Sequence, residues 1–534
     1  MPQSDQSASP GVSGMTEPAS ISLHYHERTK YSPESIAANA RSLDWNTQPA
    51  PFKDYPIGKI LDLKPYLRAE VASANRPTSH FQWWQRLSQL LYLSYGATAV
   101  LRYAGGGVMY LRASPSAGGL YPAEVYLLSR GLWLDGQEVL GPGLYNYQVP
   151  THSLVHFWED SIWPQLQAGC CFHPALETTQ LALATTAVFH RSAWRYEDRA
   201  YRRVFLDTGH LLGSIELACA INGFRPHLLG GFIDAALNQL LYLDADQEST
   251  ITVIPLADLS DSQQYLSSGP TALASEVQVD YPVIPDGQLL SYLHRQTEIR
   301  ACPIPAATAV ASAELEQPDK YNFPFCLKVP TQSAAIDWGS GLGALATTVA
   351  NRRSVRGAGY TGQPLTLEEL RAILDFAYQP QNYQPQGLDP APDYFELSLI
   401  ETFVAVNNVE GLEEGCYYYA PQAQELRQIR FKNFRSEIHY LCLQQELGRE
   451  AGAVIFQTAD LRQAVSRYGE RAYRYLHMDA GHLGQRLNLA AVRLSLGACG
   501  VGGFFDDQVN AVLGIPEDEA VLYITTLGRL AQQS

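Results

Sequence analysis

The chain has 534 residues, 46% of them apolar and 17% charged, a composition typical of large globular domains. Asp and Glu outnumber Lys and Arg by 54 to 38, and the net charge of −16 without any basic run excludes general nucleic-acid binding. The eight cysteines are scattered without a CxxC pair and indicate reduced thiols; with no visible signal peptide or membrane span, we expect a cytoplasmic protein.

The sequence of the first half of the chain indicates a polar tail followed by a domain of mixed helices and strands. Residues 1–20 are polar and rich in Ser and Pro, and we expect them to be disordered. Residues 21–262 alternate helical patterns, such as "LSQLLYLSYG", with strand-like runs such as "YPAEVYLLS" and "LALATTAVFH". An α+β domain is therefore predicted over residues 21–262.

A turn of small residues, "ASPSAGGLYPAE" at 113–124, leads into one of these strands. Its two glycines allow the backbone to approach a ligand closely. The rest of the chain contains no second copy of this segment, which makes it a candidate for a single binding site.

A long stretch from Arg195 is repeated, without a gap, from Arg467 at a constant offset of 272 residues. The matched pairs are Tyr196 with Tyr468, Asp207 with Asp479, His210 with His482, and, at the same offset, Glu124 with Glu396. Such a repeat indicates duplication of a whole domain. The two copies are predicted to form a pseudo-two-fold dimer within one chain.

The helix after Asp207 or Asp479 is apolar on most faces and is predicted to end at a turn containing Gly223 or Gly497. We therefore expect each copy of this helix to be buried against the other copy, near the axis. No second potential metal ligand lies one helical turn from His210 or His482. We therefore expect both histidines to pack at the interface rather than to bind a metal.

Residues 263–340 contain eight scattered prolines, which predict an extended connector over the surface, before a second domain at 341–534. The second domain opens with "NRRSVRG" at 351–357. Its three arginines and a serine suit a phosphate, since guanidinium groups bind phosphate oxygens bidentately. The alternative is a solvated basic turn.

Two further motifs could contribute to a site. The run "GACGVGGF" at 497–504 would let backbone N–H groups approach a flat or anionic ligand, although glycines also end helices for structural reasons. It does not follow the GxGxxG pattern of a Rossmann fold.

In "RYGERAYRY", Arg467 lies beside Tyr468, and a neighbouring cation would lower the pKa of the phenol; the alternative is a buried structural tyrosine.

Taken together, these motifs resemble those of the flavin-dependent nitroreductase superfamily, and most closely its SagB-type azoline dehydrogenase branch. The resemblance covers both copies and implies the α+β nitroreductase fold, with FMN at the interface between them. It assigns the cofactor to two groups of residues. The second copy supplies Arg352, Arg353, Ser354, Arg356, Gly500, Val501, Gly502, Gly503 and Arg529, and the first supplies Pro115, Ser116, Ala117 and Gly118.

These two groups of motifs are complementary, because the first copy lacks an RRSxR and the second carries "QGLDPAPDYFE" in place of the small-residue loop. One FMN site per chain is therefore predicted, with the other degraded or empty. The resemblance implies oxidation of a thiazoline or oxazoline in a modified peptide. Tyr468 would be the base and Arg467 would stand where the branch has lysine, a replacement that stays charged.

Other functions remain open at this point. One alternative is an NAD(P)H-dependent reductase of quinones or nitro compounds, and a second is an inactive scaffold or binding subunit. We expect no metal, no nucleic acid and no membrane. The substrate is expected to be a small molecule or a modified peptide, with a partner protein delivering the peptide, and the chain is expected to be either a pseudo-dimeric monomer or a further homodimer.

Overall fold

A computed structural model of the chain describes residues 19–38, 42–67, 78–102, 107–266, 269–302 and 318–531. The expectation for residues 1–20 falls mostly on residues outside these ranges. The remainder forms two α+β copies joined by residues that pack against both, which confirms the predicted duplication and fold class.

The helices of the first copy and of the connecting segment are α1 (Ile21–Arg28), α2 (Pro33–Ala38), α3 (Lys64–Leu67), α4 (Ser79–Tyr95), α5 (Trp163–Gly169), α6 (Ala175–Thr178), α7 (Phe189–Tyr196), α8 (Ala200–Ile221), α9 (Asp234–Leu240) and α10 (Leu289–Gln296). Those of the second copy are α11 (Gly343–Asn351), α12 (Leu367–Tyr378), α13 (Arg435–Leu441), α14 (Glu446–Glu450), α15 (Leu461–Tyr468), α16 (Ala472–Arg493) and α17 (Asp506–Leu513).

The strands of the first copy are β1 (Lys59–Asp62), β2 (Ala97–Arg102), β3 (Val108–Arg112), β4 (Ala123–Ser129), β5 (Leu132–Leu134), β6 (Gln137–Leu140), β7 (Gly143–Gln148), β8 (Ser153–Trp158), β9 (Leu181–Val188), β10 (Phe224–Pro226) and β11 (Glu248–Asp258). Those that follow are β12 (Lys328–Pro330), β13 (Leu365–Thr366), β14 (Glu401–Val406), β15 (Val409–Glu410), β16 (Gly415–Ala420), β17 (Glu425–Arg430), β18 (Ala453–Asp460), β19 (Leu496–Val501) and β20 (Glu519–Arg529).

Each copy is built on a seven-stranded antiparallel sheet, and the two sheets have the same strand order. The order is β1-β8-β7-β4-β9-β11-β10 in the first and β12-β17-β16-β14-β18-β20-β19 in the second. Strand β12 lies within the predicted connector, yet it takes the edge position that β1 takes in the first sheet.

The register of the central strands corrects one detail of the predicted alignment. Glu124 of β4 lies opposite Thr186, and Glu401 of β14 lies opposite Thr458, the counterpart of Thr186. Glu401, not Glu396, is therefore the structural counterpart of Glu124. The stretch from β14 to β16 is five residues shorter than the corresponding stretch from β4 to β7, because Tyr126 pairs with Asn146 in the first copy and Phe403 with Tyr418 in the second. A comparison without gaps cannot detect this difference.

Helices α8 and α16 pack against each other at the centre of the molecule, which confirms the predicted pseudo-two-fold arrangement. Gly209 of α8 and Gly481 of α16 lie face to face, and a Cβ added to either would collide with a backbone carbonyl of the other helix. Only glycine permits so close an approach of two backbones. In the second copy the helix ends earlier than predicted, with Ser495 in a left-handed conformation (φ 61°), and Gly497 lies in β19.

The segment from 263 to 340 differs from the surface connector that its prolines predict. It contains α10, whose Leu293 is fully buried, and Trp338 is buried as well. The apolar residues of "LLSYLHRQ" are spaced as in an amphipathic helix, and this pattern could have predicted α10 from the sequence.

Cys171 and Cys302 form a disulfide, with Cα atoms 5.4 Å apart. The expectation that all eight cysteines are reduced thiols is therefore wrong for this pair, which lies 131 residues apart in sequence and follows no spacing pattern.

The segment Phe189–Ile221 is long and apolar enough to cross a membrane by composition alone, but 89% of its apolar window is buried inside the fold. Such burial is what a core helix of this length shows.

Candidate functional site

The small-residue loop is held by one buried carboxylate of α8. The Ser116 hydroxyl donates to Asp207 over 2.5 Å, and the Ala117 N–H donates to the same carboxylate over 3.0 Å. Gly118 and Gly119 both have positive φ angles, which let the chain turn within two residues. Burial raises the pKa of Asp207 to about 7, while the bonds from Ser116 and Ala117 oppose this rise.

Arg352 of the second copy reaches into this loop from across the interface. Its Nε donates to the Ala113 carbonyl over 2.7 Å, and one terminal nitrogen donates to the Arg112 carbonyl over 3.2 Å. The guanidinium is 3% exposed, and no carboxylate pairs with it among the described residues. Burial lowers the pKa of Arg352 to about 10, so the group stays charged at neutral pH.

The other residues of the RRSVR segment take different positions. Ser354 accepts a 3.3 Å bond from Arg352, and Arg353 donates to the backbone and hydroxyl of Thr98 in the first copy. Arg356 is exposed, and it lies close enough to lower the pKa of the Cys499 thiol, which burial raises overall. Arg529 is bonded to Glu369 at 2.9 Å and to the Pro364 carbonyl. The structure therefore brings Arg352 and Ser354 into contact, leaves Arg356 exposed two residues beyond Ser354, and engages Arg529 elsewhere.

The glycine stretch 500–503 lies at the end of β19, opposite α8 of the first copy. Arg203 of α8 donates to the Gly502 carbonyl over 3.2 Å, and its Nε is buried without a partner. A Cβ added at Gly502 would lie 3.4 Å from Arg203 Nε, which is ordinary van der Waals contact, so the Arg203 side chain packs beside this residue. Val501 is buried within the sheet, and Gly500 makes room for the Tyr523 hydroxyl.

We define site 1 as the place where these parts meet: the loop 115–118 and α8 of the first copy, and 352–356 and 500–503 of the second. The pair Arg195 and Tyr196 also belongs to it. A Cβ added to Gly118 would lie 2.7 Å from the Tyr196 hydroxyl and 3.2 Å from Arg195 Nη1. The sequence offers both Arg–Tyr pairs, since Arg195 and Tyr196 are the counterparts of Arg467 and Tyr468, but the resemblance assigned the catalytic role to Arg467 and Tyr468.

Arg467 and Tyr468 lie instead at site 2, the counterpart of site 1, which is formed by residues 394–396, 467–468 and Tyr475 of the second copy with 230–232 of the first. The Tyr468 hydroxyl donates to Glu396 over 2.6 Å, and Arg467 pairs with the same carboxylate at 3.0 Å. Burial, with Glu396 adding to it, raises the pKa of Tyr468. This is opposite to the lowering expected from Arg467.

Side chains of the chain itself occupy site 2. The Phe395 and Tyr475 rings stack with centres 5.0 Å apart, and a Cβ added at Gly230 would lie 2.5 Å from Tyr475. Leu273 from the connecting segment packs against Gly231, and the Tyr475 hydroxyl donates to the Leu273 carbonyl over 2.9 Å. Apolar and aromatic side chains thus stand against Gly230 and Gly231 in site 2, whereas the Arg203 side chain stands beside Gly502 in site 1.

The composition of site 1 fits a planar anion. Four guanidinium groups belong to it, two of them buried (Arg352 and Arg203) and two exposed (Arg195 and Arg356), and none pairs with a carboxylate among the described residues. A buried guanidinium without a counter-charge is costly unless a ligand supplies one. The buried Nε of Arg203, which has no hydrogen-bond partner among the described residues, would also be satisfied by an anionic ligand.

His210 and His482 lie between the copies and make hydrogen bonds there. His210 bonds to Tyr523 at 2.8 Å and to Gln485 at 3.0 Å, and His482 lies 3.2 Å from Glu216. Burial lowers the pKa of His210 to about 4. These contacts are those of packed interface residues.

Comparison with known proteins gives a consistent assignment. The family model described as "Nitroreductase family" matches residues 88–257 and 349–529. A crystal structure described as "a putative nitroreductase" from Anabaena variabilis is 62% identical, covers 96% of this chain and 100% of its own, and superposes with a TM-score of 0.88.

Two sequence relatives match shorter stretches. "Putative nitroreductase MJ1384" of Methanocaldococcus jannaschii is 34% identical over 173 residues, which are 32% of this chain and 85% of that protein. "Microcin B17-processing protein McbC" of Escherichia coli is 23% identical over 155 residues, 28% of this chain and 56% of that protein.

Proposed function

The chain belongs to the nitroreductase family, a family of oxidoreductases, and on that premise we propose that it is an FMN-dependent oxidoreductase with one flavin site per chain. The asymmetry between the two sites is the observation that carries this proposal. In site 1 the neighbour of Gly502 is the Arg203 guanidinium, which has no carboxylate partner among the described residues, whereas in site 2 Phe395 and Tyr475 press against Gly230 and Leu273 presses against Gly231.

FMN has two parts that the residues of site 1 suit. Arg352, Ser354 and Arg356 would hold the phosphate, because charged donors bind phosphate oxygens strongly. The loop 115–118 and the stretch 500–503 would flank the ring, since both present backbone without bulky side chains. Bound there, FMN would supply a hydride acceptor or donor.

The chain's own contribution to the chemistry is to orient the substrate and to supply a proton or hydrogen bond. Tyr196 lies next to Gly118, and its ring lies under the Arg203 guanidinium, 3.5 Å from ring centre to Cζ. Its hydroxyl can donate a hydrogen bond or a proton to a substrate, whereas Arg195 stays charged and can only bind and orient. Tyr468 remains the alternative base that the sequence predicts.

The substrate we propose is a thiazoline or oxazoline ring in a modified peptide, oxidised to the aromatic azole. The sequence match to the Microcin B17-processing protein supports this choice. A partner protein would then deliver the peptide.

A second candidate is an NAD(P)H-dependent reductase of quinones or nitro compounds. It is favoured by the arginine at both 195 and 467, where azoline dehydrogenases have a lysine able to transfer a proton. Steady-state oxidation of NAD(P)H with menadione or nitrofurazone separates the two candidates. Rapid turnover would support the reductase and count against the dehydrogenase.

Bound flavin is the first measurement. The purified protein should be yellow and contain about one FMN per chain, released on denaturation and quantified by its absorbance. Two FMN per chain would contradict the filled site 2. A colourless protein that cannot be reconstituted would instead favour a scaffold or binding subunit.

A further inference from the structure

The two Arg–Tyr pairs of the duplication have the same internal geometry. Arg195 Cζ lies 5.5 Å from the centre of the Tyr196 ring, and Arg467 Cζ lies 5.6 Å from that of Tyr468. Each pair stands at the end of a corresponding helix, α7 or α15. What one pair binds is therefore informative about the other.

The pair in site 2 binds a carboxylate that the chain itself supplies. Glu396 Oε2 accepts a 2.6 Å bond from the Tyr468 hydroxyl and pairs with Arg467 Nη2 at 3.0 Å. Glu396 is held for this purpose by its own N–H, which donates to Asp479 over 2.8 Å. In the first copy the corresponding aspartate, Asp207, holds Ala117.

The pair in site 1 has no such carboxylate. The loop held by Asp207 continues into Gly118, which carries no side chain, and Arg195 is exposed without an ion-pair partner among the described residues. Beside it stands Trp45, 61% exposed, with its ring centre 5.8 Å from Arg195 Cζ. Trp194 fixes the turn that carries Trp45 by donating to Thr47 over 3.0 Å.

We propose that the substrate of site 1 carries a carboxylate, which binds Arg195 and the Tyr196 hydroxyl as Glu396 binds Arg467 and Tyr468. An aromatic or other flat part of the substrate packs against Trp45. This inference rests on the proposed function, since it names the substrate class of the same site. It gives the Arg–Tyr pair a role in recognition, in which the phenol donates a hydrogen bond to the carboxylate.

The test compares benzoate with benzamide, its uncharged isostere, by calorimetric titration of the FMN-loaded protein. We expect benzoate to bind about tenfold to a hundredfold more tightly, the factor for one charge-assisted hydrogen bond. Arg195→Gln should abolish this preference, and Tyr196→Phe should reduce it. Arg462→Gln, which removes an exposed arginine of α15, is the control and should keep the wild-type preference.

The outcomes separate the two proposals. Yellow protein that binds benzoate no more tightly than benzamide overturns the carboxylate site alone. A preference that survives in Arg195→Gln overturns it as well. Colourless protein that cannot be reconstituted with FMN overturns the proposed function, and with it this inference.

Discussion

The Nε–H of Arg352, in the second copy, donates a 2.7 Å hydrogen bond to the carbonyl oxygen of Ala113, in the first. Two segments that lie 239 residues apart in sequence thus meet at one point of the interface. Because Arg352 also ties the copies together, replacing it changes more than cofactor binding. Arg356 offers a cleaner test of the phosphate assignment, since it is exposed and its side chain makes no bond with the described residues.

We expect Arg356→Ala to weaken FMN binding by about tenfold to a hundredfold, because a charge-assisted hydrogen bond contributes about 1.5–3 kcal/mol. The thermal midpoint of the apoprotein should stay unchanged. Fluorescence titration of the apoprotein with FMN measures the affinity, and Arg462→Ala serves as the control for loss of an exposed arginine. Wild-type affinity in Arg356→Ala would refute the phosphate assignment. Arg352→Ala should lower both FMN affinity and the midpoint.

The two tyrosines of the duplication give a matched pair of variants. Tyr196→Phe should reduce turnover and spare bound FMN, because its hydroxyl lies next to Gly118 of site 1. Tyr468→Phe should leave turnover close to wild type, because its hydroxyl is bonded to Glu396 in the filled site. Both variants are compared by kcat/KM at equal flavin content. The reverse result would restore Tyr468 as the base that the sequence predicts.

The sequence predicts the duplication and the fold well, because the repeated residues lie mainly in α8 and α16, which bury the interface. Each copy needs a glycine at this position, Gly209 or Gly481, because any larger residue would push the two helices apart. The complementary loop and arginine motifs also predict where the two copies would build a site.

The sequence could not distinguish the Arg–Tyr pair of site 1 from that of site 2, because both copies contain an arginine followed by a tyrosine. What distinguishes them is the neighbouring loop, where one copy has Gly118 and the other has Glu396. A constant offset pairs Glu396 with Glu124 and so hides this difference. The filling of site 2 by Leu273 was equally hidden, since it comes from a segment that reads as a linker.

The two buried aspartates of the interface predict a pH dependence of stability. Burial raises the pKa of both Asp207 and Asp479 to about 7. In the unfolded chain an aspartate loses its proton near pH 4. Between about pH 4 and 7 the native chain therefore holds protons that the unfolded chain has lost, and the free energy of unfolding falls as the pH rises.

We expect the double variant Asp207→Asn/Asp479→Asn to show a smaller decrease of the thermal midpoint from pH 5 to pH 8 than the wild type. An asparagine oxygen can still accept the Ala117 N–H, so the loop keeps one of its bonds. Part of the decrease should remain, because burial also raises the pKa of Glu401 to about 7. Equal decreases in the two proteins would contradict the assignment of raised pKa values to these aspartates.

The disulfide between Cys171 and Cys302 fastens the middle of the connecting segment to the first copy, and the two cysteines are 131 positions apart in sequence. A cross-link that closes so long a loop restricts the unfolded chain and stabilises the fold by about 2–4 kcal/mol. Cys302→Ser should therefore lower the midpoint of urea denaturation under non-reducing conditions, and dithiothreitol should lower it for the wild type alone. Cys326→Ser, which removes a partly exposed free thiol, is the control and should behave as the wild type. Alkylation of the unfolded, unreduced protein checks the pairing directly: labelling of both Cys171 and Cys302 would show that the bond is absent.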